Sequence, residues 1–470
     1  MKHVLVSSFW FAALFSFAGA AVFSQESPAP NERLTLRKTI ATASVAFAEV
    51  RATNAELSAA NEGVGLAKKA YLPEGDVYLQ WNRATRNNVF GLLFPSGSVP
   101  SISGPALDQT TSGSTFGSVA AALVRWEAFD FGARAAAVRE AEALRQSAEM
   151  GLRVTELDVA LGTLDAFLIL VAAESAVRTA AATVERMEVF EVSVSVLAEN
   201  ELRPGADLAL ARAELARART ELIRAEQLQE EGRTRLSEWL GRAGERIEVD
   251  GTELIASAPT IDERAPADEQ KEVMSHPFVA RVEAELEAAR ARKDAAAKSS
   301  LPKIDLLASI YTRGTGALLD GTFSGGSQGL WPDTSNWALG VAVRFPFLEL
   351  PRSQQRKALE DYRAQAAEAR YENAVQHLTA ELERARIRLD AARRIALNTP
   401  IGLDAARSLQ TLARARYDAG LADVGEVAES ERILRRAETE DVVARLDVWR
   451  TRFALAAAEG DLTPVLSQLE

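Results

Sequence analysis

Tyr417–Leu434 reads YDAGLADVGEVAESERIL. It is a tight, Gly-centred turn set between two Ala-rich helical stretches, with no histidine or cysteine in it. Asp423 and Glu426 stand near the start of the returning helix, where the helix dipole favours an acid. Asp418 stands at the end of the outgoing helix, where the same dipole disfavours one. A carboxylate kept at an unfavourable helix end points to a role outside the helix.

The stretch has a counterpart earlier in the chain. RPGADLALARAEL (Arg203–Leu215) falls on it at an offset of 219, with Asp207 and Leu208 on Glu426 and Val427. FDFGAR (Phe129–Arg134) matches FLELPR (Phe347–Arg352) at an offset of 218. Internal similarity in a fixed order marks a chain built twice. In each half a helical stretch (about 36–70 and 277–300) stops at Pro73 or Pro302, which cannot continue it. Alternating segments follow. KIDLLASIYTR places Ile304, Leu306, Ala308 and Ile310 on one face, with Lys303, Asp305, Ser309 and Arg313 on the other. WALGVAVRF sets Trp337, Leu339, Val341, Val343 and Phe345 against small residues, and DVYLQWN aligns Val77, Leu79 and Trp81. With a weaker strand over about 116–126, this predicts four strands, paired across the Gly/Ser/Pro-rich loops 84–114 and 314–335.

A very long helix follows each strand pair, 133–200 and about 352–417, the second expected to kink at Pro400 and Gly402 and so to form two stacked pieces. A turn then leads into a returning helix; in the first half the turn is assigned to Pro204-Gly205. The returning helices carry a heptad seam: Leu208, Leu215, Leu222 and Leu236 interleave with Ala211, Ala218, Ala225, Gly232 and Trp239. Its small residues let helices approach closely, so the seam is expected to be a lateral packing face between neighbouring helices.

Lys2, the apolar run Val4–Phe17 and Ala18-Gly19-Ala20 read as a secretory signal cleaved after 20 or 24. No later segment is expected to reach the roughly 18 consecutive apolar residues of a spanning helix, so any membrane contact must use strands. The chain has no cysteine, which removes disulfides and thiol metal sites. A net charge of −12 with interspersed signs argues against a nucleic-acid partner. The three histidines, His3, His276 and His377, share no metal-ligand spacing, and the carboxylates lie in helical charge mosaics; neither an enzyme nor a cofactor is expected. Four strands cannot close a barrel, and open edges are not tolerated in hydrocarbon, so several chains must pool their strands.

Taken in order, HPFVARVEAELEAARARKDAAAKSSLPKIDL (276–306), WEAFDFGAR (126–134), LRPGADLALARAELARARTELIRAEQ with its ending LSEWLG, YDAGLADVGEV and AAAEGDL (456–462) resemble the TolC-type outer membrane efflux proteins. The resemblance covers nearly all of the mature chain. It implies a mainly α fold with membrane β-barrel strands. Long periplasmic hairpins would form an α-barrel, and four strands per chain would enter a trimeric twelve-stranded outer-membrane β-barrel. The implied function is the exit duct of a tripartite efflux or type I secretion system. Its implied partners are two further copies, a periplasmic adaptor (membrane fusion) protein, an inner-membrane pump and outer-membrane lipid. Tyr417, Gly420, Glu426 and Val427 sit where the family shows Tyr, Gly, an acid and Val at its narrowed entrance. The candidate tip residues are these four with Asp418, Asp423, Pro204, Gly205 and Asp207; repeated around the implied trimer axis, Asp418 and Asp423 would favour cations in the narrowed entrance. The first hairpin departs from the pattern, because Gly205 precedes Asp207 by two residues whereas Gly420 precedes Glu426 by six.

The expected organisation is a signal over 1–24, a first repeat over 25–241, a linker over 242–275, a second repeat over 276–460 and a tail over 461–470. The alternative is a periplasmic coiled-coil adaptor or scaffold. Adaptors usually carry one hairpin between β-rich segments, whereas this sequence has two complete strand-helix halves.

Overall fold

The computed structural model describes residues 33–85, 112–256, 273–318 and 322–469. The expected signal segment therefore lies outside the described residues, as does most of the loop between the first two strands. The first half runs α1 (Leu36–Ala46), α2 (Ala48–Lys69), β1 (Glu74–Thr85), β2 (Ser114–Phe129), α3 (Ala133–Glu199) and α4 (Gly205–Trp239). A short α5 (Thr252–Ala256) leads to the second half: α6 (Pro277–Lys298), β3 (Lys303–Thr315), β4 (Thr334–Arg344), α7 (Leu350–Asp418) and α8 (Val424–Glu459), ending in α9 (Thr463–Leu466).

The strands form one antiparallel sheet in the order β1-β2-β3-β4. Its register gives it two chemically different faces, because residues directly opposite one another share a side. Val77 lies opposite Ala122, which lies opposite Ile310, which lies opposite Trp337. That row and its neighbours, with Leu79, Val124, Leu306, Leu339, Val341 and Val343, make one apolar face. It stands open to the surroundings: Val77 is 76 %, Trp337 75 % and Leu339 75 % exposed. The other face is polar and carries a charged cluster at its foot. Asp305 Oδ2 there accepts from Arg125 (3.2 Å) and Arg344 (3.0 Å), and Glu127 accepts from Lys303 (3.0 Å). The outer edges of β1 and β4 pair with no strand among the described residues.

The helices form a layer with a fixed lateral order. Beneath the sheet, α3 packs between α2 and α6, and α6 also packs on α7. Further down, α3 packs between α4 and α8, and α8 also packs on α7. The layer thus reads α2-α3-α6-α7 near the sheet and α4-α3-α8-α7 away from it, with the same two ends left free. The changeover is made by corresponding joints. Phe47, which precedes α2, stacks on Trp239 at the end of α4, with ring centroids 4.8 Å apart. His276, which precedes α6, bonds the Ala457 carbonyl near the end of α8 at 3.0 Å. A core of Leu164, Phe167, Leu170, Leu236, Trp449 and Phe453 surrounds these joints, closed by Val249 and by Val465 of α9.

Three expectations change. The first helical stretch breaks at Phe47, whose extended backbone lets its ring reach Trp239. The second long helix does not divide. α7 is continuous for 69 residues with Pro400 inside it. Proline removes one backbone hydrogen bond, and just beyond it Leu403 and Ala406 pack on Leu434 of α8. At about 1.5 Å per residue α7 and the 67-residue α3 each reach about 100 Å. Finally, one stretch of α3 is long and apolar enough to cross a membrane by length and composition, and over half of it is buried. It is the helix around which the core is assembled.

Candidate functional site

Both long hairpins turn at the end of the layer farthest from the sheet. After α7, Gly420 takes φ +76°. Its N–H bonds the Tyr417 carbonyl (2.9 Å), and the Leu421 N–H bonds Arg416 (2.8 Å). These are the paired bonds by which a left-handed residue closes a helix. Asp423 then caps α8, its Oδ1 accepting from the Glu426 N–H at 2.9 Å. Glu426 turns back across the turn to Arg416, with Oε1 and Nε 3.1 Å apart. Asp418 stays exposed, 3.4 Å from Arg414 Nε one helical turn before it.

The first hairpin makes the same turn without glycine at the critical place. Glu201 takes φ +60°, its N–H bonds Ala198 O (3.1 Å), and the Leu202 N–H bonds Leu197 O (2.9 Å). Glu201 and Gly420 are 219 residues apart, the repeat offset. Pro204 and Gly205 do not form the turn. Pro204 occupies the cap position, with φ −62° and ψ 143°, Gly205 is the first residue of α4, and Asp207 lies in its first helical turn. The irregular glycine spacing therefore does not reflect an irregular backbone; the left-handed position was the cue to look for, and the offset points to it.

The two turns are locked together through Tyr417. Its side chain is 2 % exposed and meets Phe190 of α3 edge-on at 4.9 Å. Arg203 of the first turn lies over the Tyr417 ring at 4.8 Å and donates from Nη2 to its carbonyl at 3.2 Å. Arg414 lies over Phe190 in the same way, at 4.9 Å. Burial pushes the Tyr417 hydroxyl above its ordinary pKa, Arg203 and Arg414 opposing and Asp207 and Asp418 reinforcing. Val427 joins the cluster beneath with Met187, Leu215 and Val424. Of the nine candidates, then, Tyr417 and Val427 are buried in the joint, Gly420, Asp423 and Glu426 shape the second turn, and Asp418 faces outward. Pro204, Gly205 and Asp207 begin α4. Sequence reasoning missed Arg203, Phe190 and Glu201.

The seam packs one helix on its neighbour, and that neighbour is α3 of the same chain. Leu215 packs on Met187 and Phe190 of α3, and Gly232 fits against the Cα of Leu170. The small residues bring α4 onto its own hairpin partner, so the seam holds one chain together. Higher up, Glu431 of α8 is buried and receives Arg186 Nε from α3 and Gln410 Nε2 from α7, each at 2.8 Å.

Two open-edged layers, a two-faced sheet on a helical stalk about 100 Å long, define a duplicated membrane-type strand-and-hairpin protein. The family described as outer membrane efflux protein matches residues 42–242 and 270–461, and the chain belongs to it. No curated protein matches the sequence. The fold is shared with solved structures at low identity. CusC, described for conformational changes accompanying folding and transmembrane channel formation, aligns with a TM-score of 0.75 at 15 % identity over 91 % of this chain and 92 % of its own. The outer membrane protein VceC from Vibrio cholerae gives 0.73 at 19 % identity, over 91 % and 96 %. The open-state Neisseria gonorrhoeae MtrE outer membrane channel gives 0.72 at 19 % identity, over 91 % and 89 %.

Proposed function

We propose that three copies of this chain close into one exit duct across the outer membrane, its helical stalk extending into the periplasm. The observation that carries this reading is the coincidence of free edges. β1 and β4 end the sheet, while α2/α4 and α7 end the helical layer. Joining the β4 and α7 side of one copy to the β1 and α2/α4 side of the next satisfies both layers at once. Such a head-to-tail contact generates a ring when its rotation closes. Apolar residues wait at the helical edges, among them Ile223 and Leu228 on α4 and Ile387, Leu397 and Ile401 on α7, all exposed.

Twelve pooled strands turn the apolar face toward lipid and the polar face toward a lumen, the alternation expected of an outer-membrane barrel. The height of the apolar face fits. From Trp337 to Phe345 eight residue steps at about 3.3 Å, tilted by about 40°, span about 20 Å, close to the expected apolar band of about 25 Å. Cargo then enters at the double turn and leaves past the loops at the far end of the sheet. In this reading an inner-membrane pump supplies it, and a periplasmic adaptor meets the stalk. The groove between α4 and α8 over α3, floored by Ala180, Ala218 and Ala428 and rimmed by Arg217 and Arg432, suits a helical partner. The alternative, a periplasmic scaffold, leaves the exposed apolar sheet face without a role.

Two measurements test the reading together. The protein in mild detergent should run as a trimer by light scattering. On intact cells Gly325→Cys, in the open loop between β3 and β4, should react with an impermeant maleimide and Ala419→Cys should not. A monodisperse monomer, or the opposite labelling, overturns it.

A further inference from the structure

The foot of the sheet passes into the helices through a band that joins apolar and cationic residues. On the lipid-facing parity, Trp126 and Phe345 continue the apolar rows, and the exposed Tyr71, Leu72, Phe347 and Leu348 lie beside them at the strand ends. Trp126 Nε1 donates to the Tyr71 carbonyl at 2.8 Å, fixing that ring and backbone segment together. Immediately beyond come Lys69 at the end of α2 and Arg352, Arg356 and Lys357 in the first turns of α7. All four are exposed. Lys69, Arg352 and Arg356 make no ion pair among the described residues, and Lys357 only faces Asp361, which Lys293 already holds at 2.5 Å. Elsewhere the stalk's arginines are largely paired along or between helices. Three cations at the start of α7 also work against its dipole, which favours acids there. They are therefore not placed to stabilise that helix.

Position supplies the explanation. Between Phe345 and Arg352 lie a short 3-10 turn and the start of α7, about 9 Å of rise at roughly 2.0 and 1.5 Å per residue. That puts the guanidinium groups at headgroup depth when the aromatic residues sit at the hydrocarbon boundary, with long side chains able to reach back toward it. Lys69 and the α7 cations stand at opposite free edges of one chain, so ring closure brings them to the same junction. Resting on the trimeric reading above, we infer that each junction between copies binds the phosphate headgroup of an anionic phospholipid from the periplasmic leaflet. The chain's overall charge of −12 makes this local excess of cations the part of the molecule complementary to such a surface.

The test uses the trimer in discs of phosphatidylcholine with or without phosphatidylglycerol, reading retained lipid by native mass spectrometry. Wild type should retain phosphatidylglycerol preferentially, and the preference should fall as salt rises. Neutralising Arg352→Gln, Arg356→Gln and Lys357→Gln should lower it by about fivefold for each cation removed. Inorganic phosphate should not compete. A variant that is still trimeric and retains the lipid like wild type overturns the inference, as does a wild-type preference indifferent to salt or abolished by free phosphate. If wild type inserts as a trimer with no such preference, the lipid site falls and the duct stands; if it forms no trimer, the duct itself falls.

Discussion

Exchanging the residues at the two left-handed turn positions provides a direct measure of how the hairpins are built. Glu201, at φ +60°, holds a conformation that costs a non-glycine residue about 1–2 kcal/mol. Glu201→Gly removes that cost but frees the unfolded chain, which returns about 0.4–1 kcal/mol. The net expectation is a stabilisation of about 0.5–1 kcal/mol. At Gly420 the balance reverses. A Cβ there would meet nothing within 4 Å, so Gly420→Ala introduces backbone strain without a clash, and the turn should lose about the same amount. Spread over the whole chain, such changes would barely move a melting temperature. Local amide exchange resolves them, since about 0.5–1 kcal/mol is roughly a two- to fivefold change in opening. Exchange in residues 197–205 should slow in Glu201→Gly, and exchange in 416–424 should quicken in Gly420→Ala. Unchanged or faster exchange in the first variant would refute the claim that both hairpins share one strained closure.

Asp418→Asn with Asp423→Asn should weaken cation preference in planar bilayers, and because asparagine caps a helix as well as aspartate, trimer yield should hold. A reversal potential unchanged in a salt gradient would remove these acids from the entrance. His276 caps α6 by accepting the Phe278 N–H at Nδ1 (3.1 Å) while Nε2 donates to Ala457, an arrangement that needs the neutral ring. Burial lowers its pKa below the ordinary 6.5, although the Ala457 carbonyl and Asp158 of α3 favour the proton. The unfolded chain then binds more protons at acidic pH, so this contribution is complete above about 6.5 and declines as pH falls toward the lowered folded value. Thermal stability between pH 7.5 and 5.5 should therefore fall more in wild type than in His276→Asn, and parallel curves would contradict it. Leu215→Asp places a charge among Met187, Phe190 and Val424, a loss of about 3–4 kcal/mol that should expose the first hairpin to protease before any trimer forms. Wild-type protease resistance would show that the position tolerates water.

The parts of the fold that follow from periodicity were legible in the sequence. Strand faces appeared because alternation reports burial or lipid on one side, and Val77, Ile310 and Trp337 do share one face. The duplicated order was legible because Pro73, Pro302 and the matched turns mark the same events twice. What local patterns concealed was decided by contacts from elsewhere. The break at Phe47 depends on Trp239, almost 200 residues away. Just beyond Pro400, the packing partner of Leu403 and Ala406 lies on α8. The assignment of the seam to the chain's own hairpin depends on Gly232 meeting Leu170, which a heptad pattern on one helix does not specify. At the tip, Asp423, Glu426 and Gly420 were readable as turn residues, but the pairing of Arg203 with Tyr417 needs both hairpins side by side.

The matched turns have a consequence for anything that recognises the stalk's end. In the proposed ring, three chains, each with two halves of nearly equal backbone, would give a tip with six similar corners around one axis. Side chains make those corners alternate: the position of Tyr417 in one half is Ala198 in the other, and that of Gly420 is Glu201. A visitor that reads the shape of the closing turns meets sixfold symmetry, whereas one that reads their chemistry meets threefold. The same ring thus offers two different stoichiometries, and the one adopted reveals which layer of information the visitor uses.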